Sequence, residues 1–275
     1  FLYRYRSISP RTIERTIDFE IINESIFLAG LDDLNDPDEG RFIIQFEGSR
    51  RDVYRYCLKA LETTAANIPI GDRIKIAKQR ATEIFSAGMQ PTSDRIHELR
   101  QAIGKTFRVA CFTTLPTNYS MWANYAKHMR EDASSIDHGG ICIEYRPNES
   151  WKTINLGPVV YSDDVPRVNP ALRNKADIVS TVYKKSLEWC SESEWRVFMR
   201  IDCLPPFPEN LNTNSRIRIE GGVTGIIFGL KTPDEVVQEV SRRAREKHPK
   251  ISLRRLVHDP LTYRRVLLDL RESDY

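Results

Sequence analysis

Hydrophobic positions along this chain follow two periods, and the changes from one to the other divide it. Residues 1 to 6 alternate Phe1, Tyr3 and Tyr5 against Leu2, Arg4 and Arg6. That period of two predicts a strand that buries an aromatic face and displays Arg4 from a rigid element. Ser9-Pro10 reads as a helix start feeding an Ile13/Ile17 stripe, and Ile21 to Ala29 reads as extended chain around an Asn23-Glu24 turn. Leu34 to Gly40 is dense in turn formers and carboxylates, and Phe42 to Phe46 is a short strand. From Arg50 to about Gly104 the spacing turns helical, through Val53, Tyr54, Cys57, Leu58 and Leu61, then Ile74, Ala77 and Ile84, then Ile96, Leu99 and Ile103. Breaks at Pro69-Ile70-Gly71 and at Gly88 to Ser93 predict three amphipathic helices forming a cap or insertion.

Strand periodicity resumes at Phe107 to Thr114. Ser120 then caps a helix over Met121 to His128 that aligns Trp122, Tyr125, Ala126 and Met129, and 130 to 137 reads as a flexible loop. Ile141 to Tyr145 alternates like a half-buried strand, Val159 to Tyr161 is a further short one, and Lys175 to Leu187 is helical. Leu204 to Asn214 is Pro/Asn-rich loop. Gly222 to Gly229 is an apolar strand, Thr232 caps a helix, and Ile251 to Val257 with Tyr263 to Leu268 close the chain as strands. Strand runs separated by helical blocks, without a regular β-α-β cadence, predict an α+β fold. The expected core is mixed and largely antiparallel, built from strands near 1–6, 107–114, 141–145, 195–201 and 223–229. A single domain spanning 1–275 carries the insertion at about 50–104.

Composition changes this picture little. With 275 residues the chain buries a core without staples, and a net charge of +3 forces no nucleic-acid reading. Cys57, Cys111, Cys142, Cys190 and Cys203 are scattered, with no C-x-x-C pair, and read as free thiols of a reducing, cytoplasmic compartment. No apolar run approaches the roughly twenty residues of a membrane span, and the first residues lack a signal-peptide core. No H-E-x-x-H, G-x-S-x-G or G-x-x-x-x-G-K-[ST] pattern occurs.

The densest candidate chemistry lies in Trp189 to Arg200. Read as one strand, Glu192, Glu194, Arg196 and Phe198 share a face, with Ser193, Trp195, Val197 and Met199 on the opposite, core face. Two carboxylates at i and i+2 beside a guanidinium are either a charge ladder on a solvated strand or a catalytic pair in a cleft. Arg4, Asn35, Asp36, Trp122, Tyr125, His138, Glu192, Glu194 and Arg196 are expected to converge on that cleft.

In order along the chain, Tyr3-Arg4-Tyr5, Asn35-Asp36-Pro37, Cys111-Phe112-Thr113, Met121-Trp122-Ala123-Asn124-Tyr125-Ala126, His138-Gly139-Gly140 and Glu192-x-Glu194-x-Arg196 resemble an uncharacterised bacterial domain-of-unknown-function family found in accessory and defence-type loci. The stretch from His128 to Gly139 is longer than that family's spacing, so either His128 or His138 takes its histidine position. More distantly, Arg4, Thr113-Thr114 and Glu192-Ser193-Glu194 resemble ADP-ribosyltransferases of the Arg-Ser-Glu type. That resemblance implies an enzyme consuming NAD as substrate and modifying a nucleic acid or protein in a defence or toxin system. Glu194 would be the key carboxylate, Glu192 would position the acceptor, and Arg4 and Thr113 would hold NAD. Tyr5, Thr114, Trp122, Tyr125 and His138 would complete the binding site. A carboxylate suits an oxocarbenium-like transition state, and arginine suits a diphosphate.

Two other readings stay open. One is a non-catalytic RNA- or protein-binding module using Arg4, Arg6, Arg50, Arg51 and the Arg242-Arg243/Arg245 run. The other is a hydrolase, with Cys111 as nucleophile and His138 as base, or with a metal on Asp36, Glu192, Glu194 and a histidine.

Overall fold

A computed structural model describes residues 1–88, 97, 101, 103–171, 175–200 and 216–271. They fall into two compact units. The first comprises Phe1–Gly30, Phe107–Val159 and Glu188–Tyr275, and the second Leu31–Thr106 and Val160–Leu187.

The first unit is built on one eight-stranded sheet. Its strands are β1 (Leu2–Arg6), β2 (Phe107–Thr113), β3 (Ile141–Tyr145), β4 (Asn155–Pro158), β5 (Glu194–Arg200), β6 (Val223–Phe228), β7 (Ser252–His258) and β8 (Arg265–Asp269). Their order across the sheet is β8-β7-β6-β3-β1-β2-β5-β4. Every neighbouring pair is antiparallel except β6 and β7. That exception has a local cause. The helix Asp234–Lys247 lies between them in the chain, and parallel neighbours need such a crossover where antiparallel ones need only a turn. The mixed, largely antiparallel core expected from the periodicity is therefore present, and the five strands expected there stand side by side at its centre.

The core lies on both faces of the sheet. On one face Leu2, Phe112, Ile143, Tyr145, Val197 and Ile226 pack with Val236, Val237, Val240 and Ala244 of the Asp234–Lys247 helix and with Ile17 and Ile21. The other face carries Tyr3, Tyr5, Cys142 and Ile227 against Trp122 and Ala126. β3 is thus buried on both faces rather than half-buried, because it sits between β1 and β6 at the sheet centre.

Several local expectations shift. The first helix begins at Ile13, after Ser9 and Thr12 have exchanged side-chain bonds, and continues as a π-helix over Ile17–Ile22 before a short strand at Ser25–Phe27. Asn118 rather than Ser120 caps the helix Tyr119–Tyr125, accepting from Met121 N. The expected loop at 130–137 contains a small hairpin, His128–Met129 against Ser135–Ile136. Glu192 ends a 3₁₀ segment, Leu187–Glu192, so β5 starts only at Glu194. Asn155–Pro158, unmarked by any alternation, forms the sheet's far edge.

The second unit holds the helices Arg50–Thr64 and Ile70–Ser86, the first with a capping box between Ser49 and Asp52. Their boundary falls at the expected Pro69 break; most of the expected third helix, around 89–102, lies outside the described residues. The same unit includes two short parallel pairings, Ile43–Ile44 with Arg167–Val168 and Val160–Tyr161 with Lys184–Lys185. The Leu204 to Asn214 loop, with Cys203, also lies outside the described residues.

Candidate functional site

Register decides which of the sequence candidates meet. Tyr3 stands opposite Thr113, and Thr113 opposite Glu194, so these three side chains share one face of the sheet. Arg4, one residue along, stands opposite Ile143 and points to the other face, where its guanidinium lies 5.7 Å from the Phe112 ring centroid. Arg4 and Glu194 therefore lie on opposite faces, and their expected convergence on one cleft does not occur. Side chains alternate across a strand, so a single residue of offset is enough to separate them.

Each of the separated residues has its own structural role. Glu194 receives two bonds from Arg196, Nε at 2.7 Å and Nη2 at 3.1 Å, and both residues are buried. The face that a solvated charge ladder would have exposed is thus buried, and a charge there requires its partner. The Thr113 hydroxyl donates to the Glu192 carbonyl at 2.6 Å and accepts from Leu115 N at 3.1 Å, which fixes the chain after β2. Thr114 is exposed. Trp122 is wholly buried, with its indole N–H on the Pro116 carbonyl and the Tyr5 ring set edge-on at 5.1 Å. The Tyr5 hydroxyl donates to Leu115 O at 2.6 Å. Asn35 and Asp36 belong to the second unit, where Asp36 Oδ1 accepts from Asp38 N in a turn.

His138 is buried at φ 62°, and neither ring nitrogen has a hydrogen-bond partner among the described residues. Burial, then Arg265 and Lys231, hold its pKa down, and its ring centroid lies 4.6 Å from that of Tyr119. It makes no bond to Cys111, as a nucleophile and base pair would. Two residues on, Gly140 is constrained sterically: a Cβ there would overlap the Arg6 carbonyl. Among the described residues no three His, Cys, Asp or Glu side chains gather as a metal site.

The open chemistry sits on the Arg4 face. Here Glu20, from the π-helical turn, is buried and takes Arg6 in a bidentate pair, Nε to Oε2 at 3.0 Å and Nη2 to Oε1. Arg4 Nη1 stands 3.8 Å from the same carboxylate, and its Nη2 donates to the Phe27 carbonyl at 2.8 Å. Tyr145 donates its hydroxyl to Glu20 Oε2 at 3.3 Å. Arg216 lies between the rings of Phe19 and Phe27, 4.1 Å and 5.6 Å from their centroids, and bonds the Ser25 carbonyl. Arg4 Nη1 and Arg216 Nε are buried without hydrogen-bond partners among the described residues.

This cluster borders a cavity of about 450 Å³. Arg6, Arg15, Arg216 and Glu20 supply its charged lining, Ser7, Thr12 and Thr16 its hydroxyls, and Tyr5, Phe27, Asn124 and Tyr125 much of the rest. Its electrostatics are lopsided. Burial alone would raise the Glu20 carboxyl, but Arg6, Arg4 and Arg216 together hold it below the ordinary range. Burial, and then repulsion from Arg6, lower Arg4 to about 10 despite Glu20. Arg216 is lowered by burial as well. One carboxylate cannot neutralise the guanidiniums around it, and Arg216, which lines the cavity, keeps an unused donor there that an anion would complete.

Tyr125 links this cavity to one residue of the candidate set. It lines the cavity, and its hydroxyl donates to Glu192 Oε1 at 2.8 Å. The structure thus leaves Tyr5 and Tyr125 at the cavity, with Glu192 joined to Tyr125. Glu20, Arg15 and Arg216 were not apparent as site residues. Glu20 had a signal: it falls at the buried end of the Ile13, Ile17, Ile21 stripe, where a charge has no reason to be unless paired. Arg242 and Arg243, proposed for a basic surface, are held by Glu239, Glu246 and Asp18. No protein-family model matches the chain, and no curated protein or solved structure is significantly similar to it.

Proposed function

We propose that the first unit binds a phosphate-bearing small ligand, with the phosphate on Arg6, Arg15 and Arg216. The observation that carries this reading is the surplus of guanidinium over carboxylate around Glu20, with unused buried donors beside a cavity large enough for a nucleotide. Guanidinium forks match phosphate oxygens in geometry and charge, and the hydroxyls of Thr12 and Thr16 suit the remaining oxygens. Aromatic walls at Tyr5, Phe27 and Tyr125 suit a planar base.

The test is calorimetric titration with inorganic phosphate, pyrophosphate, ADP and NAD. Arg15 is exposed, so Arg15→Gln removes a cavity charge without disturbing the core. It is expected to weaken binding by about tenfold at low salt. No heat or competition with any of these ligands at millimolar concentration would refute the reading.

A second reading is favoured by the Tyr125–Glu192 bond. With NAD as the ligand, its diphosphate on the guanidiniums, Glu192 rather than Glu194 is the carboxylate for a sugar cation, and a macromolecule is the acceptor. Nicotinamide release by the native protein, reduced on the order of 10² to 10⁴ in Glu192→Gln, supports it. Binding without release leaves a sensor that does not consume its ligand.

A further inference from the structure

The two edges of the eight-stranded sheet differ. At one edge β4 reads Asn155-Leu156-Gly157-Pro158, and its proline lacks the N–H that pairing with another strand would use. At the other edge β8 reads Arg265-Val266-Leu267-Leu268-Asp269, without proline or glycine. Among the described residues it pairs only with β7. Its Val266 and Leu268 are 42% and 56% exposed.

The bonds to β7 fix which amides of β8 point outward. Leu270 N donates to Leu253 O and Asp259 N to Arg264 O, so in an antiparallel pair the amides of residues 264, 266, 268 and 270 face β7. Those of Arg265, Leu267 and Asp269 face away from it. We propose that β8 pairs antiparallel with β8 of a second copy of this chain, about a two-fold axis at Leu267. In that register Leu267 opposes its own copy, and Arg265 opposes Asp269 at both ends. The three opposed positions are the ones whose amides point outward, so each pair can exchange two N–H···O bonds.

Side chains agree with the same register. Arg265 meets the partner's Asp269 twice, once on each side of the axis, which is the reciprocity a two-fold interface requires. On the opposite face exposed Val266 meets exposed Leu268 of the copy. A shift by two residues would lose both ion pairs, so the charges at the strand ends specify the register as well as the partner.

Sedimentation equilibrium over a range of concentrations up to about 100 µM tests this. The native chain is expected to be a reversible dimer. Asp269→Arg sets arginine against arginine at both ends and is expected to weaken the dimer at least about tenfold. Arg265→Asp sets aspartate against aspartate and does the same. The double variant R265D/D269R restores complementarity, and so does an equimolar mixture of the two single variants, which should form a mixed dimer. Leu267→Pro removes an outward amide without breaking a bond to β7 and is expected to abolish association. If that variant loses its near-ultraviolet circular dichroism, the charge exchange still decides. A native chain that is monomeric throughout overturns the proposal, as does a dimer that Asp269→Arg leaves unchanged.

Discussion

The two faces of the central sheet each bury charge, and they bury it differently. On the Tyr3 face, Glu194 is paired with Arg196, and Glu144 accepts from Tyr3 at 3.1 Å, Thr224 at 2.9 Å and Arg254. On the Arg4 face, Glu20 is bonded to Arg6, stands 3.8 Å from Arg4 and lies in the field of Arg216, which leaves a donor unused at a cavity. A carboxylate matched to its partners has nothing left to offer a ligand and specifies how strands lock together. A surplus of one sign beside an opening is costly as it stands, and an anion would relieve it.

The largest expected effect tests the matched face. Glu194→Gln should cost about 3–5 kcal/mol, because it leaves Arg196 charged and buried with the Glu194 charge gone. Replacing both by apolar residues, as in E194L/R196M, should cost much less. Denaturant melts of the three proteins measure this, and a loss near zero for Glu194→Gln would erase the contrast between faces.

A smaller effect is expected from Arg4→Met. Arg4 is already disfavoured by burial and by Arg6, so its removal costs mainly the bond to the Phe27 carbonyl, about 1–2 kcal/mol. Arg196→Met should cost more in the same melts. Equal losses would mean that the Arg4 cluster is as tightly matched as the other.

Acid sharpens the comparison further. The folded pKa of Glu20 is depressed, so the unfolded state takes up a proton first as pH falls. Its contribution to stability is therefore complete above the ordinary carboxylate range and is lost as pH drops through that range toward the lower folded value. Glu20→Gln should be less stable at pH 7 and lose less between about pH 5 and pH 2. Parallel pH profiles for the native and variant proteins would contradict this. Smallest is the salt effect: binding of pyrophosphate should weaken several-fold from about 50 to 200 mM salt, because Arg15 is solvent-exposed. Affinity indifferent to salt would point to a ligand held by shape rather than charge.

Much of the fold was legible because its signals are local. The alternation of Phe1 to Arg6 and of Phe107 to Thr113, and the Pro69 break between helices, follow from which neighbours in the chain share a face. The separation of Glu192 from Glu194 escaped because Glu-x-Glu reads as one strand unless the turn before β5 is known, and Ser193, at φ 45°, makes that turn. Edge strand β4 carries no alternation at all.

The sequence by itself determined the five central strand segments, their predominantly antiparallel pairing and the rigid display of Arg4. Only the tertiary structure decided where Arg4 points relative to Glu194, because a face assignment depends on the partner strand's register, and a slip of one residue reverses it. It also decided the cavity. Arg6, Arg15, Glu20 and Arg216 come from separate segments of the chain, and no spacing in the sequence records that the strand at 216–218 pairs with that at 25–27. Charge balance is a sum over neighbours in space, and a chain read in order does not show who those neighbours are.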